Sequence, residues 1–118
     1  MTSLAATYGF TADKGATFSQ QIKWKDATRT PINLIGYTAV MVIRQKTTNP
    51  TVVLTLTTEN GGITLGGVEG TIRIDISADQ TDGISAGPYT YTLEVTSSDS
   101  EVTRLLMGTF IVRPEFLG

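Results

Sequence analysis

The feature that most restricts the fold of this chain is a repeated alternation of apolar and polar residues. Its clearest instance covers residues 87–95 and begins with a Gly-Pro turn. The apolar positions of this stretch are Tyr89, Tyr91, Leu93 and Val95. Successive side chains of a β-strand point to opposite faces, so the pattern predicts a strand with one face on a core and one in water. We predict that this strand is central in its sheet.

The same pattern predicts further strands. Residues 18–24 present one apolar face interrupted at Gln20, and Thr71–Ile76 directs three isoleucines to one side. The most continuously apolar run covers residues 37–45, which predicts a central strand covered on both faces for part of its length. Other strands are predicted at residues 51–58, where Val52, Leu54 and Leu56 share a face, at 63–65 and at 102–113.

Turn and cap residues separate these strands. Residues 59–62 contain an Asn-Gly pair, which tolerates the positive φ angles of tight turns and therefore predicts a hairpin. Residues 77–80 have the serine-to-glutamine spacing of a capping box, which predicts one or two helical turns as far as about Ile84. Gly108, inside the last strand, predicts a bulge or a point of close backbone approach.

Together these elements predict an all-β fold. Seven to eight short strands, with turn signals every eight to twelve residues, are typical of an antiparallel β-sandwich of immunoglobulin-like type, here with one short helical turn near residues 78–84. The same spacing also fits a small jelly roll or barrel. A chain of 118 residues has the size of one domain, so we predict a single domain over 1–118, with an extended N-terminal arm at 1–12 and a C-terminal tail at 114–118. The large residues predicted for the core are Trp24, Tyr37, Tyr89, Tyr91 and Phe110.

Composition restricts the function. The net charge is −2 and the nine lysines and arginines are scattered, so we expect no nucleic-acid partner. We also expect no membrane span, because no apolar run reaches about eighteen residues. We expect no secretory signal, because the N-terminus has no basic segment followed by an apolar one. Histidine and cysteine are both absent, which removes the usual bases and nucleophiles of hydrolases. We therefore predict a protein made in a cytosol that is not an enzyme and needs no cofactor.

One stretch has a partial likeness to a calcium loop. Asp75, Ser77 and Asp79 place side-chain oxygens at every second residue. However, Gln80 stands where such a loop needs glycine, and Ala86 stands where it needs a bidentate glutamate. We therefore predict that this stretch holds no metal.

Two glycine pairs and the one tryptophan are further candidate binding features. The pairs at residues 61–62 and 66–67 lack the spacing of phosphate-binding loops, so they are interpreted as turns. Trp24 between Lys23 and Lys25 is compatible with a stacking platform for a nucleic-acid strand or a sugar. We predict instead that Trp24 belongs to the core and that the two lysines form the solvated face of its strand. A carbohydrate-binding module stays as an alternative function.

The remaining candidate feature is assembly through the edges and ends of the domain. Strand edges and terminal arms commonly pair with neighbouring subunits. The predicted assembly contacts are Leu4, Tyr8, Phe10, Phe116 and Leu117. The alternative for the last two is that they fold back over their own domain.

Several segments resemble small structural proteins of tailed phages. They cover residues 15–26, 31–38, 61–65, 70–74, 87–91 and 104–108. In these segments the chain is similar to the immunoglobulin-like N-terminal domain of phage baseplate upper proteins, and the resemblance extends over most of residues 15–114. The residues that carry this resemblance are turn and core residues. The resemblance therefore implies a related fold more directly than a particular function.

The resemblance implies a non-enzymatic virion component of a tail, baseplate or neck, which links a ring or shaft to fibres. Its partners would be other virion proteins and copies of itself, in a homo-oligomer formed within the assembled particle. In baseplate upper proteins this domain is followed by segments that carry the receptor-binding parts, whereas this sequence stops at Gly118. A protein decorating the capsid surface is therefore kept as an alternative.

Overall fold

The computed structural model describes residues 6–48 and 50–114, which form two β-sheets packed face to face. The predicted all-β sandwich with little helix is confirmed. Its strands are β1 (Ala6–Thr7), β2 (Phe10–Asp13), β3 (Phe18–Lys23), β4 (Thr38–Gln45), β5 (Val52–Thr57), β6 (Ile63–Leu65), β7 (Thr71–Ile76), β8 (Gly87–Thr96) and β9 (Val102–Arg113). Helix α1 covers Ala78–Asp82, and a 3-10 turn covers Gly67–Glu69.

The larger sheet has the strand order β1-β9-β8-β4-β5, with β2 also paired to β9, and the smaller sheet has the order β3-β7-β6. Strand β8 lies in the middle of the larger sheet, as its alternation predicted. Pairing is antiparallel except that β1 and β2 both run parallel to β9. This departs from the purely antiparallel prediction, because the first two described strands run beside the last strand in the same direction.

The core lies between the sheets and follows the alternation of the strands. Ile72, Ile74 and Ile76 of β7 are fully buried and face Leu93 and Val95 across the interior. Burying one such aliphatic side chain contributes about 1.5–3 kcal/mol, so these strands supply much of the stability. The inward side chains of β8 therefore confirm the prediction made from its sequence.

The two buried tyrosines of β8 have partners for their hydroxyl groups. The hydroxyl of Tyr91 donates to the carbonyl oxygen of Tyr8 at 2.6 Å, and that of Tyr89 donates to the carbonyl of Ser85 at 2.6 Å. Buried phenols need such partners because an unpaired hydroxyl in the core costs free energy. Tyr91 thereby links the centre of the sheet to the N-terminal strands.

Two of the predicted core aromatics lie at the margin. Trp24 and Tyr37 are half-buried and pack against the core, with ring centroids 6.4 Å apart and planes at 85°. Tyr89, Tyr91 and Phe110 are buried, as predicted. The fully buried core therefore does not extend to the end of the sandwich where Trp24 lies.

Strand β4 is internal, as predicted, but it is not covered on both faces. Ala39, Met41 and Ile43 are buried, whereas Val40 and Val42 between them are half-exposed. The outer face of the larger sheet carries no packed layer within the part of the chain that the structure describes. The apolar run of β4 therefore includes valines that face outward.

Strand β5 contains a bulge that the sequence pattern did not predict. Ile43 pairs with Leu54 and Arg44 with Val52, so Val53 is the additional residue. A bulge reverses the alternation beyond it. Val52 is consequently 46% exposed and does not share the buried face of Leu56, which corrects the prediction.

The predicted hairpin at residues 59–62 is a corner between the two sheets. The chain turns there, with Gly61 at φ 83°, but β5 pairs with β4 and β6 pairs with β7. The side-chain oxygen of Asn60 accepts from the amides of Thr57 and Gly62, both at 2.9 Å. The Asn-Gly signal therefore located the turn correctly but assigned the wrong partner strands.

The capping box is confirmed at the start of α1. The hydroxyl of Ser77 accepts from the amide of Gln80 at 3.1 Å, and the side chain of Gln80 accepts from the amide of Ser77 at 2.9 Å. The helix ends at Asp82, two residues before the predicted limit. Thr81 is buried, and its hydroxyl donates to the carbonyl of Ala16 at 2.8 Å, which fixes the helix to the loop before β3.

Gly108 is confirmed as a point of close approach. A Cβ atom at this position would lie 2.3 Å from the carbonyl oxygen of Tyr8. Only a residue without a side chain lets the backbone between β1 and β2 lie this close to β9. The N-terminal strands therefore depend on this glycine.

Candidate functional site

A groove opens between the two sheets on the side where β3 faces the N-terminal strands. It consists of two adjoining cavities of about 410 Å³ and about 200 Å³, which share Ile22 and Leu106 in their walls. The residues that line it, here called the β3 groove, are Ala6, Tyr8, Gln20, Gln21, Ile22, Lys23, Trp24, Lys25, Thr103, Arg104, Leu105 and Leu106. One wall is therefore the edge of the smaller sheet and the other is the edge of the larger sheet.

A bulge in β9 shapes one wall of the β3 groove. Leu93 pairs with Leu106 and Glu94 with Arg104, so Leu105 is an additional residue in β9. Bulges bend a strand and increase its twist, and they are common at sheet edges and beside functional sites. Leu105 remains half-buried against the core while it lines the groove.

The edge of β3 that faces the groove has free backbone groups. Among the described residues, β3 pairs with β7 alone. The amide of Trp24 donates to Gly70 at 2.8 Å and its carbonyl accepts from Ile32 at 3.0 Å, so both groups of this residue point to the β7 side. Because backbone direction alternates along a strand, Lys23 and Gln21 direct their amides and carbonyls to the opposite edge. This edge can therefore accept another strand.

Positive charge lies at one end of the β3 groove. Lys23 and Lys25 are exposed, and within the described ranges neither forms an ion pair. Arg104 differs, because its guanidinium binds the carboxylate of Glu94 at 3.0 Å. The two lysines are therefore the free cations of this site.

The nearest acidic residue in sequence is already engaged within its own loop. The hydroxyl of Thr28 donates to the Asp26 carboxylate at 2.7 Å, and the amide of Thr30 donates to the same oxygen at 2.9 Å. These hydrogen bonds, that from the Thr28 hydroxyl first, lower the pKa of Asp26. Asp26 is therefore charged and holds the loop that follows Lys25.

The predicted assembly residues fall into three groups. Tyr8 is 49% exposed and lines the β3 groove, with its amide donating to Met107 at 3.0 Å. Phe10 is buried, with its ring centroid 5.0 Å from that of Tyr91 and 5.8 Å from that of Phe18. Phe10 is therefore a core residue and not a surface contact. Leu4, Phe116 and Leu117 lie outside the described residues.

A second accessible surface is the outer face of the larger sheet. Val102, Met107 and Ile111 are 58%, 41% and 40% exposed, and they belong to β9. The outward positions of the neighbouring strands are mostly threonine and valine: Val40, Val42, Thr55, Thr57, Thr90 and Thr92. The charged residues at outward positions of this face include Arg44, Glu94 and Arg104.

The structure also places the carboxylates that were considered for metal binding. The carboxylate of Asp75 accepts from the hydroxyl of Ser19 at 2.8 Å and from Arg73 at 3.1 Å. Residues 6–48 and 50–114 contain no group of three histidine, cysteine, aspartate or glutamate side chains that could hold a metal ion. They also contain no helix long and apolar enough to cross a membrane. Asp75 is thus part of a polar network on the outer face of the smaller sheet.

The carbohydrate hypothesis depends on how the aromatic rings are arranged. A sugar platform requires Trp24 to be exposed beside two further aromatic residues on a flat face. Instead Trp24 is half-buried and has one aromatic neighbour, Tyr37, which meets it edge to face. The structure therefore offers no observation that favours this alternative.

Sequence reasoning named Tyr8, Lys23, Trp24 and Lys25 as candidate contacts, but it missed the wall of the β3 groove that β9 forms. Leu105 carries no signal of its own, because a bulge depends on the register between two strands. Tyr91 was predicted as core packing, but its hydroxyl also holds the N-terminal backbone. Burial, with a smaller effect from Tyr8, raises the pKa of Tyr91 to about 12. The Tyr91 phenol is therefore neutral at physiological pH and remains a donor.

Comparison of the chain with protein-family models finds no match, and comparison with curated proteins also finds none.

Proposed function

We propose that this protein is a non-enzymatic structural component of a tailed-phage virion. It belongs to a tail, baseplate or neck and links a ring or shaft to fibres. The resemblance of its turn and core segments to phage structural proteins supports this proposal. The structural observation that carries it is the β3 groove, where a strand edge unpaired among the described residues lies beside a partly apolar cavity. Such an edge is suited to joining protein chains.

The positions at which the chain leaves the described region also suit an assembly subunit. Ala6 pairs with Leu106 near one end of β9, and Asp13 pairs with Arg113 at the other end. Seven residues of extended strand separate these points by about 23 Å. Contacts at the two ends can therefore involve different neighbours. Head-to-tail contacts of this kind generate rings or filaments.

Capsid decoration is the second candidate function. The outer face of the larger sheet favours it, because an accessible surface rich in threonine and valine is suited to lying against a shell. The carbohydrate-binding alternative lacks a comparable observation. Location within the particle separates the first two functions.

The experiment that tests the proposal is mass spectrometry of purified phage particles combined with cryo-electron microscopy. We expect this chain in many copies per particle, with its density in the tail, baseplate or neck. Density on the capsid surface would favour decoration instead. Absence of the chain from purified particles would contradict both virion functions.

The N-terminal arm has a separate test. Deleting residues 1–5 removes Leu4 but leaves β1 and the buried Phe10 in place. We expect the shortened protein to fold and to lose assembly. If it folds and still assembles, Leu4 has no role in the contact. Truncation as far as Phe10 would be uninformative, because this residue belongs to the core.

A further inference from the structure

We propose that the β3 groove binds an extended segment of a partner protein, which adds as a strand to the free edge of β3. The segment carries acidic side chains that meet Lys23 and Lys25, and an apolar side chain that enters the cavity beside Trp24. This inference rests on the proposed function at one point, which is that the occupant of the groove is a segment of a protein.

The backbone of β3 provides the first argument. Ser19, Gln21 and Lys23 lie opposite residues of β7 at the positions of the ladder that carry no hydrogen bonds. Their amides and carbonyls therefore point away from β7. These groups recur at every second residue, which is the spacing that an added strand requires. Strand addition satisfies them with main-chain hydrogen bonds and leaves specificity to the side chains.

Charge complementarity provides the second argument. Lys23 and Lys25 are exposed at the rim, and in the described part of the chain no carboxylate pairs with them. Arg104 on the facing wall is already bound to Glu94. Lysines on an edge strand repel a basic strand and attract an acidic one. The site therefore selects acidic segments.

The cavity provides the third argument. The larger part of the groove has a volume of about 410 Å³ and includes apolar surface from Ile22, Trp24 and Leu105. Enclosing an apolar side chain there removes its surface from water and supplies binding free energy. The ring of Tyr37 packs against the ring of Trp24 in an edge-to-face contact. The partner therefore needs one apolar residue between its acidic ones.

The experiment uses the full chain and a synthetic peptide with blocked ends that alternates glutamate with valine and leucine. Trp24 is the only tryptophan in the sequence and lies in the groove, so its fluorescence reports on occupancy. We expect saturable binding with emission shifted to shorter wavelength. A peptide with lysine in place of glutamate should bind about tenfold more weakly or not at all.

Three controls separate strand addition from simple charge attraction. The acidic peptide with alternate backbone nitrogens methylated keeps its side chains but loses the donors that pair with β3, so we expect it to lose binding. The double variant Lys23→Glu and Lys25→Glu should weaken binding about tenfold. Lys46→Glu, which reverses a charge in the loop after β4, should leave binding unchanged.

Three results of the peptide experiments would overturn the proposal. The first is the absence of saturable binding by the acidic peptide up to about 1 mM, the weak end of measurable affinity. The second is equal binding of the acidic and basic peptides. The third is full retention of binding by the methylated peptide.

Other occupants of the groove give distinct results. If the peptide binds only after deletion of residues 1–5, the chain's own N-terminal segment is the occupant and the proposal is wrong. If light scattering shows that the chain self-associates and the Lys23→Glu and Lys25→Glu variant does not, a second copy is the occupant and the proposal is again wrong. Detection of the chain in particles without any peptide binding would remove this inference while leaving the proposed function intact.

Discussion

The two sides of the sandwich differ in how the sheets meet. On the closed side, the chain crosses from β5 to β6 through a corner that Asn60 holds with hydrogen bonds to Thr57 and Gly62. On the open side, β3 faces the N-terminal strands across the β3 groove, and backbone contacts between the two walls are absent from the described residues. The closed side therefore fixes the spacing of the sheets, and the open side leaves strand edges accessible.

The difference shows where this fold can bind a partner without losing stability. Residues at the corner are tied to the core, because Leu56 beside Gly62 is buried. The N-terminal strands on the open side are held mainly by β9 and by the hydroxyl of Tyr91. We therefore expect changes at the corner to act on the whole domain and changes on the open side to act locally.

The largest expected effect is that of Gly108→Ala on the open side. The new Cβ atom would lie 2.3 Å from the Tyr8 carbonyl oxygen, so β1 must move away from β9. We expect the free energy for local opening of β1 and β2 to fall by about 3 kcal/mol. Hydrogen exchange should show loss of protection in β1 and β2 while β4 and β8 stay protected. Gly9→Ala is the control, because its Cβ would meet only the Thr109 carbonyl, at 3.8 Å.

The next effect is a loss of stability at alkaline pH through Tyr91. Its pKa is about 12 in the folded chain and about 10 when unfolded, so the unfolded chain releases the proton first. The contribution of the neutral phenol is complete below about pH 10 and is lost as the pH rises through 12, by about 2–3 kcal/mol. Denaturant unfolding of the wild type and Tyr91→Phe should show this additional decline in the wild type alone. Parallel declines would contradict it.

A smaller effect is expected at the closed corner from Gly62→Ala. Its Cβ would lie 2.7 Å from a terminal carbon of Leu56 and 2.8 Å from the Leu56 Cβ. We expect a loss of about 2 kcal/mol, measured by denaturant unfolding, with hydrogen exchange accelerated throughout the domain. Gly61→Asn is the matched control, since asparagine tolerates positive φ and nothing lies within 4 Å of that Cβ. Changes in exchange confined to β5 and β6 would argue against a global role for the corner.

The smallest expected effect is that of Tyr91→Phe at neutral pH. The substitution removes the 2.6 Å hydrogen bond to the Tyr8 carbonyl but preserves the ring in the core. We expect a loss of about 1 kcal/mol, with faster exchange of the Tyr8 amide. Tyr89→Phe, which removes a hydrogen bond of the same length to Ser85, should leave exchange at Tyr8 unchanged. Equal changes at Tyr8 in both variants would show that Tyr91 does not specifically hold the open side.

The sequence by itself determined the local features of this protein. Alternation predicted β3, β7 and β8, and a serine and a glutamine three residues apart predicted the capped start of α1. Gly108 predicted a point of close backbone approach, although the sequence did not identify Tyr8 as the partner. These predictions succeed because each depends on residues within one strand or one turn.

The tertiary structure alone decided which strands pair and where the sandwich stays open. The Asn60 turn became a corner instead of a hairpin, Val53 and Leu105 became bulges, and β1 and β2 joined β9 in parallel. Each outcome depends on the register between segments far apart in sequence, which no local pattern encodes. The β3 groove arises in the same way, because its two walls come from opposite parts of the chain and meet only when both sheets have formed.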